Sequence, residues 1–142
     1  MKICQNSPCK TYCFMTKILL VEDDPMISEV YQRKFVSAGF EVRIATTGKA
    51  VLDIAHIEPV DLVLLDIVLP ELNGIEVLEA LRNPKNGYDP SLKILMFSNL
   101  NDSADRDRAL ELGANGFLSK TEFSPSQLVE EVVRFLKRIE AK

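Results

Sequence analysis

The sequence lacks most of the residues that mark zinc-binding and membrane-spanning proteins. It has no tryptophan and one histidine, and its three cysteines all lie within the first thirteen of 142 residues. Their spacing matches no zinc-binding pattern, and no histidine lies beside them. No apolar run approaches the roughly 20 residues that a membrane-spanning helix needs. A zinc or redox role for the cysteines is therefore weakly supported, and a membrane protein is not expected.

An excess of basic charge is also missing. The formal net charge is −4 and the isoelectric point is about 5.1. Direct nucleic-acid binding is therefore not expected, because it usually requires a basic face. Hydrophobic residues make up 46% of the chain, which indicates a folded protein, and the length suits one domain.

The cysteine-containing segment precedes every element that the sequence predicts. We expect residues 1–14 to be an extension outside the fold, disordered or not native, and residues 15–142 to form the domain. The segment has no long apolar core and makes a poor secretory signal. A cytoplasmic location is therefore expected.

Five short apolar segments alternate with five amphipathic ones. The predicted strands are residues 17–22, 41–45, 61–66, 93–97 and 116–118. The third is the most apolar and is expected to lie at the centre of a sheet. Regular alternation of strand and helix predicts an α/β fold, with a parallel sheet covered by helices on both faces.

Helix starts are marked by capping residues. Asp24 followed by Pro25 predicts an N-cap and a first helical residue, and Asn73 before Gly74 opens a third helix. Residues 124–127 have the pattern of a capping box.

Apolar stripes predict the buried faces of the first and last helices. The stripe on the first helix consists of Ile27, Val30, Tyr31, Phe35 and Val36. The stripe on the last helix consists of Leu128, Val132, Phe135, Leu136 and Ile139.

Polar side chains follow four of the predicted strands. Glu22 and Asp23 come at the end of strand one, Asp66 at the end of strand three, Ser98 after strand four and Lys120 after strand five. The carboxyl ends of parallel strands form the ligand-binding edge of such a sheet. Crowded carboxylates repel one another, so a hard cation such as Mg²⁺ is expected among them.

Four segments carry a resemblance to a known family. They are ILLVEDDP, DLVLLDIVLPELNGIEVL, KILMFSN and ELGANGFLSK, in the family's order, and the resemblance covers Lys17 to about Arg138. The sequence resembles the receiver domain of two-component response regulators, of the chemotaxis-regulator-like kind. The resemblance implies a flavodoxin-like sheet of five parallel strands in the order 2-1-3-4-5.

The resemblance also implies roles for the acids. Asp66 would accept a phosphoryl group. Glu22 and Asp23 would form an acidic pair that binds Mg²⁺, with Asp23 the more direct ligand. Asp66 and the main-chain carbonyl of Val68 would complete the protein's share of the metal ligands.

Further roles follow for the residues after strands four and five. Lys120 would pair with the phosphoryl oxygens, Ser98 would hydrogen-bond to them, and Phe117 would be an aromatic switch residue. Two departures concern this region: Asn99 stands where a small residue is usual, and Thr121 stands where proline is usual.

The expected partners are a sensor histidine kinase or phosphotransfer protein and a downstream protein target. A homodimer through the fourth helix, fifth strand and fifth helix is also possible. The chain is expected either to act as a stand-alone module through contact with partners or to be a fragment of a longer regulator. It is not expected to be an enzyme, beyond phosphotransfer to itself and slow autodephosphorylation.

Three alternatives stay open at this point. They are a receiver-like scaffold that works without phosphorylation, a flavin-binding electron carrier of the same fold, and a phosphoaspartate-type hydrolase. Three acids after the first strand would repel a flavin phosphate, and no insertion is long enough for a hydrolase cap. The lone His56 is expected to be an ordinary surface residue.

Overall fold

A five-stranded parallel sheet forms the centre of the molecule. The computed structural model describes residues 16–98 and 103–140. The strands are β1 (Lys17–Val21), β2 (Glu41–Ala45), β3 (Leu62–Leu65), β4 (Lys93–Ser98) and β5 (Gly116–Ser119). The helices are α1 (Pro25–Ser37), α2 (Gly48–Ile57), α3 (Gly74–Arg82), α4 (Ser103–Glu111) and α5 (Pro125–Glu140), with a 3₁₀ turn at Pro84–Asn86.

The strand order is β2-β1-β3-β4-β5, which confirms the predicted fold class. β3 lies in the middle, as its apolar sequence predicted, and its four residues are all buried. In register, Val21 pairs with Leu65 and Leu65 with Met96, so neighbouring strands end close together. The polar residues that follow these strands are therefore delivered to one edge of the sheet.

The helices cover both faces of the sheet. One apolar cluster joins the sheet to α1 and α5, and it includes Ile18, Leu20, Phe35, Phe97 and Leu128. The other joins the sheet to α2, α3 and α4, and it includes Leu19, Val21, Val51, Leu78 and Ala109. Successive residues of β1 alternate between the two clusters, because side chains of a strand point to opposite faces in turn.

The predicted caps are present. The Asp24 carboxylate accepts from the Met26 N–H at 2.9 Å, and α1 starts at Pro25. Asn73 and Glu76 bond each other reciprocally at the start of α3. Ser124 and Gln127 do the same at α5.

The prediction for the buried face of α1 was partly wrong. Tyr31 and Phe35 are buried, but Ile27, Val30 and Val36 are 37%, 45% and 54% exposed. Residues four apart lie above one another on a helix, so Tyr31 and Phe35 reach the sheet together. Val30 and Val36 lie beside this narrow stripe, and Ile27 lies in the first turn.

The prediction for α5 holds for most of its stripe. Leu128, Val132 and Leu136 are buried, whereas Phe135 and Ile139 are half-buried.

Several boundaries also differ from prediction. β1 stops one residue earlier, before Glu22, and β3 omits both of the aspartates that flank it. β4 and β5 each continue one residue further. The 3₁₀ turn lies in the segment between α3 and β4. Residues 1–15 and 99–102 lie outside the described residues. The expected extension at residues 1–14 and the expected departure at Asn99 therefore stay predictions.

Within the described parts of the chain, no helix combines the length and the hydropathy that crossing a membrane requires.

Candidate functional site

One pocket at the carboxyl edge of the sheet gathers the predicted site residues. Its volume is about 340 Å³. The residues that line it are Glu22, Asp23, Asp24, Ile27, Asp66, Val68, Ser98 and Lys120. All the residues that the sequence analysis proposed for phosphotransfer and metal binding are in this set. Phe117 and His56 are not.

Lys120 forms the electrostatic centre of the pocket. Its Nζ donates a hydrogen bond to Glu22 Oε1 and another to Asp66 Oδ2, the second at 2.8 Å. The three side chains are only 7%, 3% and 9% exposed. Burial alone would lower the pKa of Lys120, but the hydrogen bonds that its ammonium donates to Asp66 and Glu22 outweigh burial and raise that pKa. The ammonium therefore stays charged and offsets the repulsion between the two carboxylates.

Main-chain amides orient the same two carboxylates. The second oxygen of Glu22 accepts from the Asp24 N–H at 3.3 Å. The second oxygen of Asp66 accepts from the Val68 N–H at 3.1 Å. Each carboxylate is thus held by an ammonium on one oxygen and by the chain on the other.

The loop after Asp66 folds tightly against it and requires glycine at position 74. The Gly74 N–H donates to the Ile67 carbonyl at 2.7 Å. A Cβ added to Gly74 would lie 2.1 Å from the Asp66 carbonyl oxygen, well inside contact distance. Glu71 in this loop has a φ of 71°, which is uncommon for a residue with a side chain. The loop thereby fixes the backbone on which Asp66 and Val68 are presented.

Lys120 is attached to the end of β4. Its main-chain N–H donates to the Ser98 carbonyl at 2.9 Å. Thr121, in place of the usual proline, bonds Ser119 through the two hydroxyls at 2.8 Å. In the described residues no peptide bond is cis, so the Lys120–Thr121 bond is trans. Lys120 therefore reaches the acids without a proline at the next position.

Ser98 and Phe117 occupy different surroundings. Ser98 is 1% exposed and lines the pocket. Phe117 is half-buried on β5, and the guanidinium carbon of Arg106 on α4 lies 5.5 Å from its ring centroid. The predicted switch aromatic therefore faces α4 rather than the acids.

Two aromatic residues near Lys120 were not identified from the sequence. The Phe97 ring centroid lies 5.0 Å from Lys120 Nζ. Tyr31 meets the Phe97 ring edge-on, with centroids 5.0 Å apart. Tyr31 belongs to the apolar stripe of the first predicted helix and Phe97 to the fourth predicted strand, and nothing in their spacing marks a relation to a charged group.

His56 has no part in the pocket. It is exposed near the end of α2 and stacks on Tyr88, with ring centroids 4.1 Å apart. Its surface location agrees with the expectation from sequence.

The donor set of the pocket fits Mg²⁺. Asp23 and Asp66 offer carboxylates and Val68 offers its carbonyl, and Mg²⁺ is usually held by one or two carboxylates with water filling the other positions. Across the described residues, no group of three or more His, Cys, Asp or Glu side chains has the arrangement of a metal site. Engagement of Glu22 by Lys120 is consistent with this, so the pocket suits an ion held by two acids rather than an all-carboxylate cage.

Comparison with known proteins assigns the family. The model of the response regulator receiver domain matches residues 18–133. The chain belongs to this family. Receiver domains are signalling domains of two-component systems rather than classical enzymes, and they support phosphorylation-based signalling.

Individual relatives agree with this assignment. The chain is 36% identical to the alkaline phosphatase synthesis transcriptional regulatory protein PhoP of Bacillus subtilis, over 87% of the chain and 50% of PhoP. It is 28% identical to a CheY-like receiver domain protein from Methanospirillum hungatei, with a TM-score of 0.80 over 90% of this chain and 98% of that one. The BeF₃-activated receiver domain of DrrB from Thermotoga maritima is also 28% identical, with a TM-score of 0.73 over 87% and 99% of the two chains.

The chain spans about half the length of the curated relatives that it matches. What those longer proteins do as a whole is therefore not carried over to this chain as a finding.

Proposed function

We propose that this receiver domain accepts a phosphoryl group on Asp66 from a phosphohistidine of a partner protein, in a Mg²⁺-dependent reaction. The observation that carries the proposal is the buried contact of Lys120 with both Asp66 and Glu22 inside the pocket. The partner would be a sensor histidine kinase or a phosphotransfer protein. A location in the cytoplasm stays a prediction from sequence.

The chemistry is a phosphoryl transfer between two side chains. An Asp66 carboxylate oxygen forms a bond to phosphorus while the bond from phosphorus to the histidine nitrogen breaks. The electron pair of that bond returns to the imidazole. A carboxylate nucleophile carries no proton, so this step requires no general base.

Positive charge is needed because both reactants are negative. Lys120 is available to follow the transferred oxygens, since its ammonium is charged and already touches Asp66. A Mg²⁺ ion held by Asp23, Asp66 and the Val68 carbonyl would neutralise further charge on those oxygens. Glu22 belongs to the same acidic pair and keeps Lys120 in place through its other contact.

Ser98 and Phe117 would convert phosphorylation into a change of surface. Ser98 lines the pocket and its hydroxyl would donate to a phosphoryl oxygen. Phe117 lies two residues before Ser119, which pairs with Ser98 in the register of β4 and β5. Movement at the end of β4 would therefore reach Phe117, and through Arg106 it would reach α4. The charge added at Asp66 would therefore shift Phe117 between two side-chain positions.

The surface that changes would be formed by α4, β5 and α5, and it would bind a downstream target or a second copy of the chain. Charges of both signs lie on its helices, with Arg106 on α4 and Glu130, Glu131 and Arg134 on α5. Arg134 pairs with both glutamates, so part of this charge is already satisfied within α5. Mixed charge suits a reversible and specific contact.

Acetyl phosphate with Mg²⁺ tests the proposal without a kinase. We expect the intact mass to rise by one phosphoryl group, and we expect Asp66→Asn and a sample with excess chelator to show no increase. Glu58→Gln, an acid at the opposite end of the sheet, serves as the matched control and should be labelled like the wild type. An unlabelled wild type that keeps its fold would instead favour a phosphorylation-independent scaffold.

A further inference from the structure

We propose that Phe97 is a positioning residue for phosphoryl transfer, because its ring holds the Lys120 ammonium between Glu22 and Asp66. The catalytic part of this inference rests on the proposed function, whereas the contact itself does not. The observation is the distance of 5.0 Å between Lys120 Nζ and the Phe97 ring centroid. This lies within the range of about 6 Å in which a cation is attracted to an aromatic ring.

A lysine needs such a support more than an arginine does. Its ammonium lies at the end of four flexible methylene groups, and its three N–H bonds rotate freely. The two carboxylates accept two of those bonds, and they belong to residues that directly follow different strands, β1 and β3. An aromatic ring 5.0 Å from the ammonium adds a third contact that restricts where the ammonium lies.

The Phe97 ring is itself fixed. It is fully buried in the cluster under α1 and α5, and Tyr31 meets it at an interplanar angle of 89°. Edge-to-face contacts of this kind add to the stability of aromatic pairs. α1 thus supports the ring, and the ring supports the ammonium.

Lys120 is therefore attached to the end of β4 twice. Its main-chain N–H donates to the carbonyl of Ser98, and its ammonium lies against the side chain of the preceding residue, Phe97. Any displacement of this strand end moves both attachments. Phe97 consequently couples the position of the charged group to the strand that carries the Ser98 hydroxyl.

Three variants separate this role from general packing. Phe97→Leu removes the ring and keeps an apolar side chain, whereas Phe97→Tyr keeps the ring. Phe35→Leu is the matched control, because Phe35 is equally buried in the same cluster and packs against Phe40 instead.

The first measurement is the NMR signal of the Lys120 Cε methylene, which a nearby ring shifts upfield. We expect that shift in the wild type, Phe97→Tyr and Phe35→Leu, and its loss in Phe97→Leu. The second measurement is the rate of phosphorylation by acetyl phosphate and Mg²⁺. We expect it to fall about fivefold in Phe97→Leu alone, as loss of a cation–π contact of ordinary strength implies.

Retention of the Lys120 shift in Phe97→Leu, or an equal loss of rate in Phe35→Leu, would overturn the inference. So would a Phe97→Tyr protein that loses both the shift and the rate. If the wild type takes up no phosphoryl group, the proposed function fails, and the Lys120 shift alone decides whether Phe97 positions the ammonium.

Discussion

Two lysines at opposite ends of the sheet have nearly the same partners. Lys17 at the start of β1 lies between Glu58 at 2.6 Å and Glu41 at 3.7 Å. Lys120 lies between Glu22 and Asp66. The difference is burial: Lys17 is 19% exposed and Glu41 is 55% exposed, whereas all three side chains of the Lys120 group are below 10%.

The pKa values show what this difference does. Both lysines have a raised pKa, but for Lys17 the largest cause is the hydrogen bond to Glu58. For Lys120 the largest influence is burial, which acts in the opposite direction and is outweighed by two carboxylates. Water can replace the partners of Lys17, but it reaches the Lys120 group poorly. The carboxylates around Lys17 can therefore exchange their partner for water, whereas Glu22 and Asp66 depend on the Lys120 ammonium to balance their charge.

The largest effect is expected from removing each ammonium in turn. Lys120→Met should slow phosphorylation by acetyl phosphate by about 1000-fold, since loss of one preorganised donor costs roughly that much. Lys17→Met should leave the rate unchanged. Mass spectrometry over time measures both, and equal rates in the two variants would show that burial does not separate the sites.

The same pair of variants should differ in stability. Lys120→Met leaves two buried carboxylates without a cation, which should lower the free energy of unfolding by about 3 kcal/mol. Lys17→Met should lower it by less than about 1 kcal/mol, as for ion pairs that water can reach. Urea unfolding measures the two values. Because Mg²⁺ supplies replacement charge, it should restore part of the loss in Lys120→Met only, and an equal effect of Mg²⁺ on both variants would contradict the account.

The two ends of the sheet should also respond differently when an acid is removed instead of a lysine. Asp23 is exposed at the mouth of the pocket, near the carboxylates of Glu22 and Asp66. Asp23→Ala should weaken Mg²⁺ binding about tenfold, or ~1.4 kcal/mol, in a calorimetric titration. Its stability without metal should be unchanged or raised, because like-charge repulsion falls. Glu41→Ala is the control at the other end, and a similar loss of Mg²⁺ affinity there would rule out a specific acidic pair.

The smallest expected effect is the pH dependence of the stability that Glu58 contributes at the amino end of the sheet. The hydrogen bond from Lys17 holds the pKa of Glu58 below its ordinary value of 4.5. A lowered pKa stabilises the folded chain above pH 4.5, and that stabilisation is lost as pH falls through the folded-state pKa. The difference in urea midpoint between wild type and Glu58→Gln should therefore be larger at pH 7 than at pH 3. Glu122→Gln, in the loop after β5, is the control, and a Glu58→Gln difference that is the same at both pH values would refute the assignment.

Local signals made most of the fold predictable. Apolar runs marked the strands, and capping residues such as Asp24 and Asn73 marked where helices begin, because their partners lie two or three residues away. The buried stripe on α1 was predicted less accurately, because helical periodicity gives the direction of the buried face but not its width. Val30 and Val36 fall just outside that width.

The site was predictable as a set of residues but not as a set of contacts. Strand ends placed Glu22, Asp66 and Lys120 together through topology. Their pairing joins residues 98 and 54 positions apart, so no local pattern shows that Lys120 already engages both acids. Phe97 was missed for a related reason: a buried aromatic in an apolar strand has the same sequence signature whether or not an ammonium lies against its ring.

We expect the buried lysine group at the carboxyl edge to make Asp66, and no other acid of the pocket, the phosphoryl acceptor. The most direct test is to phosphorylate the wild-type chain with acetyl phosphate and Mg²⁺, reduce the acyl phosphate with borohydride and locate the modified residue by peptide mass spectrometry. We expect modification at Asp66 alone. Modification at Asp23 or Asp24, or spread evenly over the acids of the pocket, would contradict it.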